Sequence, residues 1–438
     1  MNSTLVHGGI PAPKLDVRKF ELACGAKLLV SARPGAPVCA IQFHLRGGLA
    51  DDPAGAEGTA NLVGMLADQG TSKHDEEGLA ALLEPAGGEV RGDAFGVAGT
   101  IVGTQWKLLA RTMSEIVTDA RYPVREVERQ KERLLDRMRI QREDPRVRGG
   151  QLFRELVYGD HWLGRPAHGT VETVEGVQPK DLRAFHKKFW TARRATIAVC
   201  GDVDPAEVRK VFAAALRGWK PGQPYVPADP AFPQLGRRVA AFHAERQQVH
   251  VYLGHLGIRR ANPDYDALMV MDHVLGTGPG FTNRISRKLR DEQGLAYSVH
   301  AAIHSSAGRL PGTFTAYIGT SPDRVATAVQ GFLAEIRLIR DEAVGEEELS
   351  VAKNYLLGSH ALGFERASRR TSFMISAELH GFPPDHLERV PERIAAVTAA
   401  DVQEAARRNL HPERCCLAAS GPIRAKDLVR IQRETQLV

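Results

Sequence analysis

The chain is 438 residues long, 43% hydrophobic and 25% charged, with a formal net charge of +6. That length suits two domains, each large enough to bury its own core, so neither disulfides nor a structural metal is required for folding. Basic residues alternate with acidic ones, as in "REVERQKERLLDRMRIQRED" at 125–144, which is a solvated helix face and not a nucleic-acid stripe, and no run approaches the ~18 apolar residues of a membrane span.

The first segment, "MNSTLVHGGIPAPKLDVRKF", lacks the apolar core of a signal peptide. A cytoplasmic protein is expected, or a periplasmic one if a signal peptide has been removed. A strand is predicted over 40–45, followed by a helix in "GTANLVGMLADQGTS" at 58–72. Thr59 would cap that helix, and Leu62, Met65 and Leu66 would form its apolar stripe. Asn61 and Gly64 stand inside it although neither is a good helix former. A strand, "GVAGTIVG" at 96–103, and a long helix over 124–142 come next.

Residues 177–201 read as an amphipathic helix, a turn and a buried strand ending at glycine. The stretch "RGWKPGQPYVPADPAFPQLGRR" at 217–238 is dense in Pro and Gly and has no sustained periodicity, as in an interdomain linker. Domains are therefore expected at 1–218 and 237–438, joined by 219–236. In the second half a strand at 249–254 leads to a glycine-rich turn with Gly276, Gly278 and Gly280, then to "LRDEQGLAYSV". Gly294 is placed to terminate a helix there. "HAAIH" at 300–304 has helical metal spacing but alternates like a strand, and no neighbouring acid completes a ligand set. A strand at 312–319, a helix at 346–362 and a closing helix–strand unit at 397–421 follow. None of the five cysteines has metal-ligand spacing, so free thiols are expected, with Cys415 and Cys416 on opposite faces of a strand.

The chain is internally duplicated. "VQPKDLRAFHKKFWTARRATIAVCG" at 177–201 aligns without a gap to "VTAADVQEAARRNLHPERCCLAASG" at 397–421, an offset of 220, and "KERLL" from Lys131 matches "KNYLL" from Lys353 at an offset of 222. Strands and helices mixed without strict βαβ alternation indicate an α+β class. Each of the two homologous domains would be a mostly antiparallel sheet with helices packed on one face.

Three stretches carry a resemblance to the M16 metallopeptidases, the family of pitrilysin, insulysin and the mitochondrial processing peptidase. They are "FHLRGGLADDPAGAEGTANLVGMLADQGT", "GRPAHGTVETVEGVQPKDLRAFHKKFW" and "LGTGPGFTNRISRKLRDEQGLAYSV". The resemblance implies a two-domain repeat forming half of a clamshell. In active members a His-x-x-Glu-His helix binds zinc through its histidines while its glutamate activates water, and a later glutamate completes the shell. In this chain Asn61 and Met65 fall at the histidines, Gly64 at the catalytic glutamate, and Arg137, next to Asp136, near the later ligand.

That set cannot perform zinc chemistry, so no cofactor is expected in this chain. The resemblance instead implies that Arg290 and Tyr297 hold and polarise the carbonyl of a bound peptide, supplying substrate binding and oxyanion support to a zinc site in another chain. The glycines at 276, 278 and 280 would line the substrate chamber. The expected protein is thus a non-catalytic, substrate-binding subunit of a heterodimeric zinc peptidase, whose zinc is held by a His-x-x-Glu-His partner. The alternative is a structural M16-like core protein with no role in proteolysis. Neither nucleic acid nor membrane is expected as a partner.

Overall fold

The computed structural model describes residues 13–228, 232, 238–278 and 283–435. In the first half the elements run β1 (Arg18–Glu21), β2 (Lys27–Ala32), β3 (Val38–Leu45), α1 (Thr59–Met65), α2 (Glu76–Leu83), β4 (Glu89–Asp93), β5 (Gly96–Val102), α3 (Trp106–Asp119), α4 (Val124–Arg142), α5 (Pro145–Tyr158), α6 (Val171–Gly176), α7 (Pro179–Phe189), β6 (Ala195–Gly201) and α8 (Pro205–Ala215). The second half runs β7 (Val239–His243), β8 (Val249–Leu256), α9 (Tyr265–Asp272), β9 (Val299–Ala302), β10 (Thr313–Thr320), α10 (Val325–Asp341), α11 (Glu346–Gly363), α12 (Ala367–His380), α13 (Val390–Ala396), α14 (Ala399–Asn409), β11 (Cys416–Gly421) and α15 (Ala425–Glu434). One-turn π-helical segments lie at His273–Thr277 and Ser286–Glu292.

The strands form two mixed sheets, ordered β1-β2-β6-β3-β5-β4 and β7-β11-β8-β10-β9. The parallel pairs β2/β6 and β7/β11 occupy equivalent places, and β1 is an added edge strand. The α+β class with a duplicated sheet-and-helix unit is therefore observed. Each sheet buries one face against helices of its own half, giving two large apolar cores. The closing strands β6 and β11 are buried along their whole length, as their unbroken small-apolar sequences require. Cys415 faces the second core while Cys416 faces the opposite side of the sheet. All five cysteines are free thiols.

The short match at Lys131 and Lys353 has a physical basis. Lys131, buried on α4, donates to the carbonyls of Glu175 (3.3 Å) and Val177 (2.8 Å) at the end of α6. Lys353 on α11 donates to the Ala395 carbonyl (2.8 Å) at the end of α13. In each half one ammonium thus satisfies the carbonyls that the short helix leaves open.

The second face of each sheet is covered by a helix from the other half. α5 packs on β11, β8 and β7, where Phe153, Val157 and Tyr158 meet Cys416 and Ala418. α12 packs on β6 and β3, where Met374 and Ile375 meet Leu29 and Ala198. Tyr252 donates to the Arg146 carbonyl (2.8 Å), and Tyr158 to the Pro311 carbonyl (3.1 Å). Lys19 and Lys27 both pair with Glu378, at 3.0 and 2.5 Å. The start of the Pro/Gly stretch belongs to the first core: Trp219 is 7% exposed and its indole donates to the Trp190 carbonyl at 3.0 Å.

This reciprocal exchange predicts that the halves unfold as one cooperative unit. Phe153→Ala is expected to cost about 3–5 kcal/mol and Met374→Ala about 2–5 kcal/mol. Each should shift a single urea transition measured by both fluorescence and circular dichroism, whereas separate transitions for the two halves would contradict the interlock.

Candidate functional site

Helix α1 is positioned by contacts that its own residues do not announce. Thr59, the expected cap, is instead the first helical residue, and its hydroxyl donates to the Ala56 carbonyl at 2.6 Å. The cap position is Gly58, at φ +97°, where a side chain would also strike the His168 carbonyl. The open amides are taken by Asp52, whose carboxylate accepts from Gly58 N (2.9 Å) and Ala60 N (2.7 Å). An acid from the preceding turn therefore does the work of a cap.

The segment 164–173, part of the stretch "GRPAHGTVETVEG", is tied to the same helix start. Arg165 pairs with Glu57 at 3.1 Å, and the Thr173 hydroxyl donates to the Glu57 carbonyl at 2.8 Å. These ties bring His168 to Asn61, whose amide nitrogen lies 2.8 Å from the imidazole Nδ1. His168 titrates below an ordinary histidine because it is partly buried and because Arg137 stands nearby. Asn61, His168 and Arg137 thus form one neighbourhood.

Gly64 lies against edge strand β4. A Cβ on Gly64 would overlap the backbone of Asp93, and one on Gly92 would overlap the backbone of Gly64. The two glycines let helix and strand touch main chain to main chain, and no glutamate can occupy position 64 with the backbone so placed. Met65 is half-buried and packs against the first core. The three ligand positions and the base position are therefore an amide bound to a histidine, a core thioether, an exposed guanidinium and a bare backbone. These do not fit zinc: they offer neither a thiolate, a free imidazole pair nor a carboxylate, and Arg137 repels a cation. Among the described residues, no group of three or more His, Cys, Asp or Glu side chains is arranged to hold a metal ion.

In the second half Arg290 lies in the last turn of the π-helical segment Ser286–Glu292, with its Nε 2.9 Å from an Asp291 carboxylate oxygen. Gly294, at φ +59°, terminates the segment: its amide donates to the Arg290 carbonyl (3.1 Å), and that of Leu295 to the Leu289 carbonyl (2.9 Å). Tyr297 follows on the approach to β9 and is 94% exposed. The Ser286–Glu292 segment packs on β9 and α10, whereas α1 packs on α7 and β4, so the two groups of residues belong to different halves.

Gly276, expected in a chamber-lining loop, is buried instead. It sits in the His273–Thr277 segment, where a Cβ would lie 2.5 Å from Ala301 N, so its lack of a side chain serves packing on β9. Gly278 is half-buried and Gly280 lies outside the described residues.

The "HAAIH" stretch is strand and turn, as its alternation indicated, but it does have an acid neighbour. His304 Nδ1 lies 2.5 Å from Asp272, a fully buried carboxylate that also accepts from Ile303 N (2.8 Å) and His304 N (2.9 Å). His300 is on β9 and lies tilted against Tyr317 (5.2 Å between ring centroids).

Arg137→Ala should raise the His168 pKa toward the 6.5 of a free imidazole, because the repelling cation is gone while partial burial remains. Imidazole chemical shifts followed across pH 4–8 would show it. An unchanged or lower value would remove Arg137 from this neighbourhood.

Residues 176–356 match the family described as the peptidase M16 inactive domain. An uncharacterized zinc protease of Streptomyces coelicolor is 26% identical, covering 95% of this chain and 92% of that protein. A non-peptidase homolog from Helicobacter pylori is 21% identical over 84% of this chain and 85% of its own. Among solved structures, the peptidase M16 inactive domain from Pseudomonas fluorescens superposes with a TM-score of 0.87 at 21% identity, covering 94% of this chain and 99% of that one. Residues 176–356 are thus similar to the M16 peptidase inactive domain, and the fold agrees with that of the Pseudomonas fluorescens structure along nearly the whole chain.

Proposed function

We propose that the chain is a non-catalytic, peptide-binding subunit of an M16-type peptidase, acting beside a second chain that holds zinc on a His-x-x-Glu-His helix. The observation that carries this reading is the main-chain contact at Gly64, which leaves no room for a base where active members need one. A chain so built has no means of activating water at α1. In the second half, by contrast, the Tyr297 phenol is open to a ligand, and Arg290 lies seven residues away in sequence.

Their chemistry suits a peptide carbonyl. A guanidinium holds the oxygen by charge-assisted hydrogen bonding, and a phenol donates to it as negative charge develops. In the assembled enzyme these donors would face the scissile carbonyl while the partner supplies metal, base and hydroxide. No step of hydrolysis is carried by α1 of this chain. A purely structural role, the alternative, needs no exposed donor at position 297.

The test is to assay a quenched peptide with each chain alone and with both together. Cleavage is expected only from the pair and is abolished by chelation. In the pair, Tyr297→Phe should lower kcat about 10²-fold, and Arg290→Ala should raise KM. Turnover by this chain alone in the presence of EDTA would refute the reading, and full activity of both variants would leave the structural role.

A further inference from the structure

Where a metal shell would need acids, the first half gathers guanidinium groups. A cleft of about 430 Å³ opens beside His168, between the last turns of α4, one face of α5 and the segment 166–172. Arg142, Arg148 and Arg154 line it together with Met138 and Val147. Arg137, one residue from Met138, is close enough to act on His168 at the cleft wall.

Among the described lining residues these cations outnumber the acids. Arg154 donates to the Leu163 carbonyl at 2.6 and 3.2 Å, and Arg148 lies over the Phe242 ring, 5.4 Å from its centroid. Both are half-buried. Glu172 is the one acid among the described lining residues; it stands 3.6 Å from Arg142, and both side chains are more than 60% exposed. A cleft with low-dielectric walls and one sign of charge focuses its field on what enters, and half-desolvated guanidiniums bind carboxylates more strongly than exposed ones do.

We propose that this cleft binds an acidic stretch of a polypeptide, with Asp or Glu carboxylates on Arg142 and Arg148 and neighbouring apolar side chains against Met138 and Val147. The narrow groove between two helices and its apolar wall suit an extended peptide. A nucleic-acid backbone would need a continuous row of cations, and the exposed face of α4 interleaves its arginines with Glu128, Glu132 and Asp136. The site that holds a cation in active relatives has become, in this chain, the edge of a carboxylate site. The inference rests on reading the chain as a peptide-binding protein and adds the class of peptide.

The experiment measures fluorescence anisotropy of two labelled peptides binding to the full chain. They have equal length and amidated ends, and differ only in Asp/Glu against Asn/Gln. The acidic peptide should bind about tenfold tighter than its amide twin at low salt, with the preference shrinking as salt rises. Arg142→Glu and Arg148→Gln should each abolish the preference without moving the thermal unfolding midpoint. Arg142 is exposed, so its variant remains informative if the half-buried Arg148 variant fails to fold. Equal binding of the twins, no binding of either, tighter binding of a single-stranded oligonucleotide, or a preference that survives the substitutions would overturn the proposal. The zinc-partner reading is decided separately by the paired-chain peptidase assay, whose failure would leave a measured acidic preference standing.

Discussion

Main-chain contact between α1 and β4 at Gly64, Gly92 and Asp93 sets the terms for the rest of the first half. A helix that close to an edge strand has its position fixed to within a side chain's width. Its start is then held by Asp52 from below and by the 164–173 segment from the side. With the helix so held, Asn61 meets His168, Met65 turns to the core, and the space that a general base would occupy is filled by backbone. The positions that the resemblance gives to zinc ligands and base thus differ in more than residue type. The scaffold has closed over the place where that chemistry would occur.

The second half has the same closure. Its His273–Thr277 segment, "HVLGT", stands where "NLVGM" of α1 stands in the first, and Gly276 meets β9 as Gly64 meets β4. β4 and β9 occupy the same edge in their sheets. His273 falls at the place of Asn61, and it too is engaged locally, through a 3.1 Å bond from its Nδ1 to the Met269 carbonyl. Both halves of this chain therefore carry a glycine where a helical segment meets the edge strand of its sheet. Interlocking by α5 and α12 joins these two closed units into one body, with Tyr297 on one half and the arginine-lined cleft on the other.

Much of this was legible in the sequence because it depends on periodicity and local chemistry. The long helix at 124–142 begins and ends where its pattern does, and the offset match at 177–201 and 397–421 marks units with the same place in both sheets. Gly294 could be identified as a terminator because left-handed backbone favours glycine. What stayed hidden depends on distant neighbours. Nothing near α5 or α12 says that their apolar faces cover the opposite sheet. Asp52 acts as a cap from six and eight residues before its amides, outside the usual capping spacing, so the local sequence points to Thr59 instead. Gly64 could be seen as a lost glutamate, but its packing reason lies in Gly92 and Asp93, and His168 is 107 residues from its partner Asn61. Arg148 and Arg154 are periodic positions on a helix whose cleft exists only once the 166–172 segment folds against it.

The most direct measurement is the stability of Gly64→Ala by urea denaturation. In an ordinary helix interior, alanine in place of glycine gains roughly 0.5–1 kcal/mol. Here the added methyl must push α1 off β4, and overpacking of that kind costs about 1–3 kcal/mol. The account predicts a clear loss of stability, with the sign opposite to helix propensity. A variant as stable as the parent, or more so, would show that α1 and β4 are not held together at Gly64 and would contradict the closed site.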